Sequence, residues 1–147
     1  MSATVDTNIL VYASDELAPE YPRAQELLDS LLSGPTLTTL FWPVLLGYLR
    51  IVTHPRISRR PLSAATATAV IDELRDSPSI NVVGEGPTFW AGYRSLDIGR
   101  PIVGNDVPDA MIVALMLTHG VSTIYTRDRG FRRFDGIKVV DPFAAVE

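Results

Sequence analysis

Aspartates border several apolar segments of this chain. Asp109 precedes the apolar run AMIVALML, and Asp128 lies two residues beyond the segment VSTIYT. Asp6 follows the short segment SATV near the start of the chain. Carboxylates serve as acids, bases and metal ligands, and several of them repel one another at close range unless a cation lies between them. The first question is whether the fold brings these three side chains together.

Converging carboxylates in this chain predict a site for a hard metal ion. The sequence has no cysteine and only two histidines, so the ligands of a bound metal would be oxygen atoms. Oxygen ligands select Mg²⁺ or Mn²⁺, which can activate water and stabilise charge on a phosphoryl group. Asp106 lies three residues before Asp109 and is a fourth candidate ligand. The chemistry that this set predicts is hydrolysis of a phosphoester.

Each aspartate also has an interpretation without chemistry. Asp106 as N-cap with Asp109 at the third helical position would form a capping arrangement. Asp6 and Asp128 suit turns, since Asp bonds readily to nearby backbone N–H groups. Asp141, which precedes a proline, is expected to end a strand in a turn. The order and spacing of the aspartates, more than any one of them, favour a site.

Other catalytic classes find little support in the sequence. His119 precedes a glycine at a predicted helix end, where the helix dipole favours it, and His54 is expected to be structural. The two histidines are therefore not expected to form an acid–base pair, which disfavours a metal-free ribonuclease. The sequence contains no P-loop, dinucleotide-binding or GxSxG motif.

Alternating apolar patterns predict the elements that must position these residues. Strands are predicted over 2–5, 36–40, 80–84, 121–126 and 137–141, and helices over 7–14, 20–34, 41–55, 63–78, 86–99 and 107–120. Strands separated by helices favour a parallel sheet covered on both faces. The predicted fold class is therefore α/β, a three-layer α/β/α architecture with a central, mostly parallel sheet.

This fold predicts where the aspartates lie. Ligands of parallel α/β sheets bind at the carboxyl ends of the strands. Asp6 and Asp128 follow predicted strands, and Asp109 lies in the first turn of a helix, where the dipole stabilises a carboxylate. All three are therefore expected at one edge of the sheet.

Composition places the chain in an ordinary globular class. It has 147 residues, of which 46% are apolar and 20% charged, so one domain over residues 1–147 is expected. No apolar run approaches the length of a membrane span, and we expect no membrane association. The lack of cysteine and of a signal-like start makes the cytoplasm the expected location.

The distribution of positive charge leaves a nucleic-acid partner open. The net charge of −4 argues against one, but twelve of the thirteen basic residues are arginine, and several of them cluster. Arginine matches the geometry of a phosphate group, although such clusters are also common on solvated faces. Arg127 and Arg129 flank Asp128 and are the candidates for gripping an RNA backbone.

Three stretches of the chain together resemble the PIN-domain family. They are VDTNILVYA, GNDVPDAMIVALMLTHGV and IYTRDRGFRRFDGIKVVDP, and their order matches the family's aspartate motifs. The resemblance is closer to the VapC-type toxins of bacterial toxin–antitoxin pairs, and FWPVLLGYLRIVTHPRI resembles a helix of one VapC subgroup. It implies a Mg²⁺- or Mn²⁺-dependent ribonuclease with Asp6, Asp109 and Asp128 as acidic ligands. Asn8 and Thr126 would orient these carboxylates.

The chain departs from the family pattern at two positions. The family usually has a glutamate in the third helix, and the matching position here is Gly47. Asp106 is the candidate substitute for that carboxylate. The second departure is Gly130, where the family often has an acidic residue before the phenylalanine.

The resemblance also implies partners and products. The implied activity is an endoribonuclease whose products carry 5′-phosphate and 3′-hydroxyl ends. A small antitoxin would cover the acidic site, with an arginine among the aspartates competing with metal. A homodimer is implied too. Its interface candidates are Trp42, Phe89, Trp90 and Tyr93, although such aromatic residues more often belong to a core.

Two rival functions remain at this point. A PIN-like domain without the glutamate could bind RNA or a protein without cleaving. An α/β phosphatase could use Asp6 as nucleophile, but such sites usually have an acidic residue two positions later, where this chain has Asn8.

Overall fold

Five parallel strands form the centre of the protein in a computed structural model that describes residues 2–144. The strands are β1 (Ala3–Val5), β2 (Thr38–Phe41), β3 (Ile80–Val83), β4 (Thr123–Tyr125) and β5 (Lys138–Val140). Their order in the sheet is β3-β2-β1-β4-β5, and every neighbouring pair is parallel. The predicted α/β class with a central parallel sheet is confirmed.

Six α-helices flank this sheet in the described residues. They are α1 (Thr7–Ala13), α2 (Tyr21–Ser33), α3 (Trp42–Thr53), α4 (Ala64–Asp76), α5 (Phe89–Gly99) and α6 (Val107–Thr118). Each lies within a segment predicted to be helical. Two short 3-10 helices, Gly104–Asp106 and Arg129–Arg133, were not predicted from the sequence.

Proline and burial explain where the central elements begin and end. Phe41 was predicted as the first residue of a helix but completes β2, because Pro43 lies in the first turn of α3 and the chain before it is extended. All four residues of β2 are buried. Helix α6 is buried at Ala110 and from Ile112 through Met116, as its nearly uninterrupted apolar run predicts.

The strand order reverses between β1 and β4. From β1 the chain builds β2 and β3 on one side and then returns to add β4 and β5 on the other. Val5 pairs with Tyr125, and the Asp6 N–H group donates to the Tyr125 carbonyl at 2.9 Å. The residues that follow β1 and β4 therefore lie side by side, at the position where open parallel sheets bind ligands.

Between residues 2 and 144, the structure contains no helix whose length and apolar character would let it cross a membrane.

Candidate functional site

Asp6 joins the first strand, the first helix and the segment after β4. It is the N-cap of α1, and its Oδ1 accepts the Thr7 backbone N–H at 2.8 Å. Its Oδ2 accepts the hydroxyl of Thr126 at 2.7 Å. A carboxylate held from two directions by hydrogen bonds has a fixed orientation, so Asp6 presents a defined oxygen pair at the carboxyl edge of the sheet.

The environment of Asp6 opposes its negative charge in the absence of a cation. Burial is the main cause that raises its pKa, and the nearby Asp128 carboxylate raises it further. The hydrogen bonds from Thr126 and Thr7 act in the opposite direction and do not compensate. This carboxylate therefore lies in a place that favours a positively charged neighbour.

Asp128 lies at the same edge in a turn. Its Oδ1 accepts the Gly130 N–H at 2.8 Å, which is the turn interpretation that the sequence left open. Its own N–H donates to the Thr126 hydroxyl oxygen at 2.9 Å. Thr126 thus connects Asp128 with Asp6. The Asp128 carboxylate is exposed, and the hydrogen bond from the Gly130 N–H fixes the orientation of one of its oxygens.

Asp109 belongs to the same electrostatic environment. It lies in the first turn of α6, as predicted. Burial is the largest cause that raises its pKa, followed by the carboxylate of Asp128, with a smaller contribution from Asp6. Arg133 lowers the pKa of Asp109 but does not reverse the shift. Asp109 Oδ2 and Asp128 Oδ1 both lie within 3.5 Å of the position of a Cβ atom on Gly130, and Thr126 joins Asp128 to Asp6, so the structure brings all three predicted aspartates to one region.

Asp106 is paired with an arginine and does not cap α6. Its position is that of the N-cap, but its side chain forms no cap hydrogen bond. Its Oδ1 lies 3.1 Å from Nη2 of Arg133, and the same nitrogen donates to Asp109 Oδ2 at 3.4 Å. The two carboxylates therefore share one cationic partner, so the capping interpretation of Asp106 is wrong.

Sequence reasoning missed Arg133 as a member of this cluster. Arg133 and Gly130 lie three positions apart in the 3-10 helix, where side chains at this spacing share one side. A Cβ atom on Gly130 would lie 2.5 Å from Arg133 Nη1 and 3.0 Å from Asp128 Oδ1. Because Gly130 has no side chain, the Arg133 guanidinium and the Asp128 carboxylate can both hydrogen-bond to its backbone. No local sequence pattern indicated this position, because it depends on a short turn and on a partner from α6.

Asn8 and Thr126 lie where they were predicted to orient carboxylates. The Asn8 amide nitrogen is 3.5 Å from Asp6 Oδ2 and 3.5 Å from the Thr126 hydroxyl oxygen. Asn8 Oδ1 is buried and has no hydrogen-bond partner among the described residues. A buried acceptor without a donor is uncommon in folded proteins, and this one lies beside the first carboxylate.

Gly47 lies against the residue that follows Asp6. A Cβ atom at position 47 would lie 3.1 Å from the Thr7 hydroxyl oxygen. That hydroxyl donates to the Val44 carbonyl at 3.1 Å, so α1 and α3 are in close contact at this point. The position at which the resemblance expects a glutamate therefore borders the cluster and carries no side chain.

The two arginines predicted to bind RNA differ in their surroundings. Arg127 lies 3.5 Å from Glu20 and stacks over the rings of Tyr12 and Phe143. Arg129 is exposed at the start of the 3-10 helix. Arg127 is thus partly occupied by protein contacts, whereas the Arg129 guanidinium faces solvent.

The remaining candidates lie outside the cluster. Asp141 Oδ1 accepts the Phe143 N–H at 2.9 Å, which is the strand-ending turn that was predicted. His119 contacts the Gly84 carbonyl at 2.9 Å from the end of α6, and His54 accepts a backbone N–H after α3. Both histidines have structural contacts, as expected.

The carboxylate cluster is looser than a preformed metal centre. Within residues 2–144, no three acidic or histidine side chains approach one another as a ready metal-binding group. The donor chemistry nevertheless suits a hard cation. The donors are all oxygen atoms, burial and mutual repulsion raise the pKa of two of them, and the acceptor of Asn8 lies unused beside them.

Known proteins resemble this chain in sequence and in fold. A family model described as "PIN domain" matches residues 3–137. The ribonuclease VapC48 of Mycobacterium tuberculosis is 44% identical over 144 residues, covering 98% of this chain and 99% of that protein. The crystal structure of M. tuberculosis VapC20, titled a sarcin–ricin loop cleaving toxin, has a TM-score of 0.67 at 18% identity, covering 93% of this chain and 98% of that one. A toxin–antitoxin complex from Klebsiella pneumoniae has a TM-score of 0.61 at 18% identity, covering 97% of this chain and 99% of its own.

Proposed function

Since the chain belongs to the PIN domain family, we propose that it is a divalent-metal-dependent endoribonuclease and the toxin of a bacterial toxin–antitoxin pair. The observation that carries the proposal is the convergence of Asp6, Asp109 and Asp128 where the strand order of the sheet reverses. The ribonuclease relative aligns over nearly the whole of both chains, which supports the same activity here.

The proposed metal ligands are the three converging aspartates, with Asp106 as a fourth. Bound Mg²⁺ or Mn²⁺ would supply a water molecule of lowered pKa and would neutralise charge on a phosphate. Asp106 lies close enough to share Arg133 with Asp109, which supports its role in place of the glutamate absent at Gly47.

The other residues of the site fix the carboxylates and hold the substrate. Thr126 donates to Asp6 and accepts from the backbone of Asp128, so one hydroxyl sets the relative position of two acids. The Gly130 N–H fixes one oxygen of Asp128. Arg129 and the neighbouring Arg127 are proposed to bind the phosphates of the RNA backbone. Attack by water on the phosphorus would leave 5′-phosphate and 3′-hydroxyl ends.

Cleavage of a structured RNA tests this activity. The purified chain is expected to cut the RNA in the presence of Mn²⁺ and to stop when EDTA is added. Asp6→Asn is expected to lower the rate by roughly a hundredfold or more, because it removes a metal ligand and a fixed charge. Asp141→Asn is the matched control: it changes an aspartate that also follows a strand, and asparagine supports the same turn.

Two outcomes would remove the assignment. Equal cleavage by wild type and Asp6→Asn would show a contaminating nuclease or a different site. RNA binding without metal-dependent cleavage by the wild-type chain would favour the rival binding module.

The proposed partners are an antitoxin and a second copy of this chain. The likeness to a solved toxin–antitoxin complex supports the antitoxin. Helix α5 supports the homodimer, because it has no buried residue although its sequence is rich in apolar side chains. Trp90 and Ile98 lie eight positions apart on one face of this helix and are 62% and 83% exposed. Such a face is typical of a surface that associates with another protein.

A further inference from the structure

One arginine of this chain lies inside its own acidic cluster. Arg133 Nη2 is 3.1 Å from Asp106 and 3.4 Å from Asp109, and only 19% of the Arg133 side chain is exposed. Its Nη1 donates to the Gly130 carbonyl at 2.6 Å, and its guanidinium lies 4.7 Å from the centre of the Phe134 ring. Four separate contacts hold the end of a long side chain that would otherwise be mobile. The position is therefore built by the fold.

The contacts of Arg133 leave part of its guanidinium unused. A single nitrogen serves both carboxylates, so neither is bound in the two-pronged geometry that makes arginine–carboxylate pairs strong. The Nε–H group takes part in none of these contacts. A guanidinium has five N–H donors, so these contacts leave Arg133 with donors that an additional oxygen could use. Arg133 thus contacts both carboxylates through Nη2 and retains N–H donors that these contacts do not use.

The negative charge of the four carboxylates would repel an anionic substrate unless a cationic residue such as Arg133 faced that substrate. Asp6, Asp106, Asp109 and Asp128 contribute four carboxylates, and within residues 2–144 Arg133 forms ion pairs with two of them, Asp106 and Asp109. The surplus of negative charge attracts a divalent ion but repels a phosphodiester. A substrate anion can approach only where positive charge is directed at it.

We propose that Arg133 exchanges partners during the reaction: it neutralises Asp106 and Asp109 before metal binds, and it contacts the scissile phosphate of RNA after a divalent cation has taken over Asp109. The inference rests on the proposed ribonuclease function and adds a substrate-contacting residue to it. A divalent cation held by Asp109 would compete with the Arg133 guanidinium for that carboxylate. Arg133 would then be free to contact the substrate, where positive charge is needed.

Removal of the arginine has opposite effects on metal binding and on catalysis. In Arg133→Gln, Mn²⁺ affinity measured by calorimetry without RNA is expected to rise at least about fivefold, because a competing unit charge is removed. The single-turnover cleavage rate at saturating Mn²⁺ is expected to fall at least about tenfold, because a donor to the phosphate is lost. Arg132→Gln is the matched control, since Arg132 is the exposed neighbour in the same 3-10 helix, and both quantities should stay at wild-type values.

A spectroscopic measurement on the wild-type chain keeps the proposal testable if Arg133→Gln does not fold. The ¹⁵N-labelled Arg133 Nε–H signal is expected to shift on addition of Mg²⁺ and to shift again with an RNA oligonucleotide that carries phosphorothioate linkages. An Nε–H signal unchanged by the oligonucleotide overturns the proposal, and so does an Arg133→Gln variant with wild-type Mn²⁺ affinity or wild-type rate. If the wild-type chain cleaves no RNA, the proposed function fails, and the exchange at Asp109 is still decided by the Mn²⁺ titration.

Discussion

Asp6 shows how a single residue links stability to metal chemistry. Its pKa is raised above the ordinary value of 3.8, so the folded protein binds this proton more tightly than the unfolded chain does. The contribution of Asp6 to stability is therefore fully present below pH 3.8 and is lost as the pH rises through the raised pKa. Above the raised pKa, the metal-free protein bears a partly buried negative charge that opposes folding at this position.

Asp6→Asn is thus expected to stabilise the metal-free protein. At pH 7 with EDTA, its free energy of unfolding should exceed that of wild type by about 1 kcal/mol, because asparagine is uncharged and still caps a helix. The difference should shrink as the pH falls through the raised pKa of Asp6, because the carboxylate then takes up its proton. Urea denaturation at several pH values measures it.

The same comparison with Mn²⁺ should change sign. A bound cation stabilises the folded wild type in proportion to its affinity, and the variant lacks one ligand. Wild type that gains no more stability from Mn²⁺ than Asp6→Asn would contradict the assignment of Asp6 as a ligand. Asp141→Asn should respond to Mn²⁺ as wild type does.

At the level of the elements, the close contact between α1 and α3 leaves little space for a side chain at Gly47. The Thr7 hydroxyl occupies the space that a side chain at position 47 would need. Alanine is favoured over glycine in a helix by about 1 kcal/mol, but its Cβ would press on Thr7. The size of the side chain at position 7 therefore limits the size of the side chain that position 47 can accept.

A double-mutant cycle at these two positions measures this coupling. Gly47→Ala alone is expected to leave the free energy of unfolding within about 0.5 kcal/mol of wild type, because propensity and crowding oppose each other. In a Thr7→Ala background, the same substitution should stabilise by about 1 kcal/mol. Gly99→Ala serves as the control, since an added Cβ there meets no atom within 4 Å. Equal effects of Gly47→Ala in both backgrounds would refute the coupling.

The sequence predicted those parts of the fold and site that depend on periodicity and on strand ends. The apolar runs predicted α3, α6 and the parallel strands, and the ends of β1 and β4 predicted the convergence of Asp6 with Asp128. The 3-10 helix over Arg129–Arg133 has no such period, because it is one short turn. The position of Arg133 depends on that turn and on partners from α6, so no local pattern indicated it.

At the scale of the whole molecule, α5 is the one α-helix between residues 2 and 144 that has no buried residue. Its packing partner is α6, and its outer face carries Trp90, which stacks on Tyr93 with ring centres 5.5 Å apart. Trp90 and Tyr93 were proposed as either core or interface, and the exposure of Trp90 favours the interface. A second copy of the chain is the proposed cover.

Loss of the apolar face of α5 is therefore expected to weaken the dimer. Trp90→Ser combined with Ile98→Ser should raise the dimer dissociation constant at least about tenfold, because large apolar anchors dominate interfaces. Sedimentation velocity at several concentrations measures the constant. Leu17→Ser changes a side chain that is 74% exposed in the loop after α1, and it should leave the dissociation constant unchanged. An unchanged constant in the double variant would place the interface elsewhere.

The hydrogen bond between Thr126 and Asp6 also has a consequence for protein synthesis. Its partners lie 120 residues apart in a chain of 147. The acidic site is therefore absent from every nascent chain that has not yet reached β4, and a fragment that ends before Thr126 lacks both Thr126 and Asp128. A ribosome that makes this chain therefore completes all six described helices before the carboxylates of the proposed site can converge.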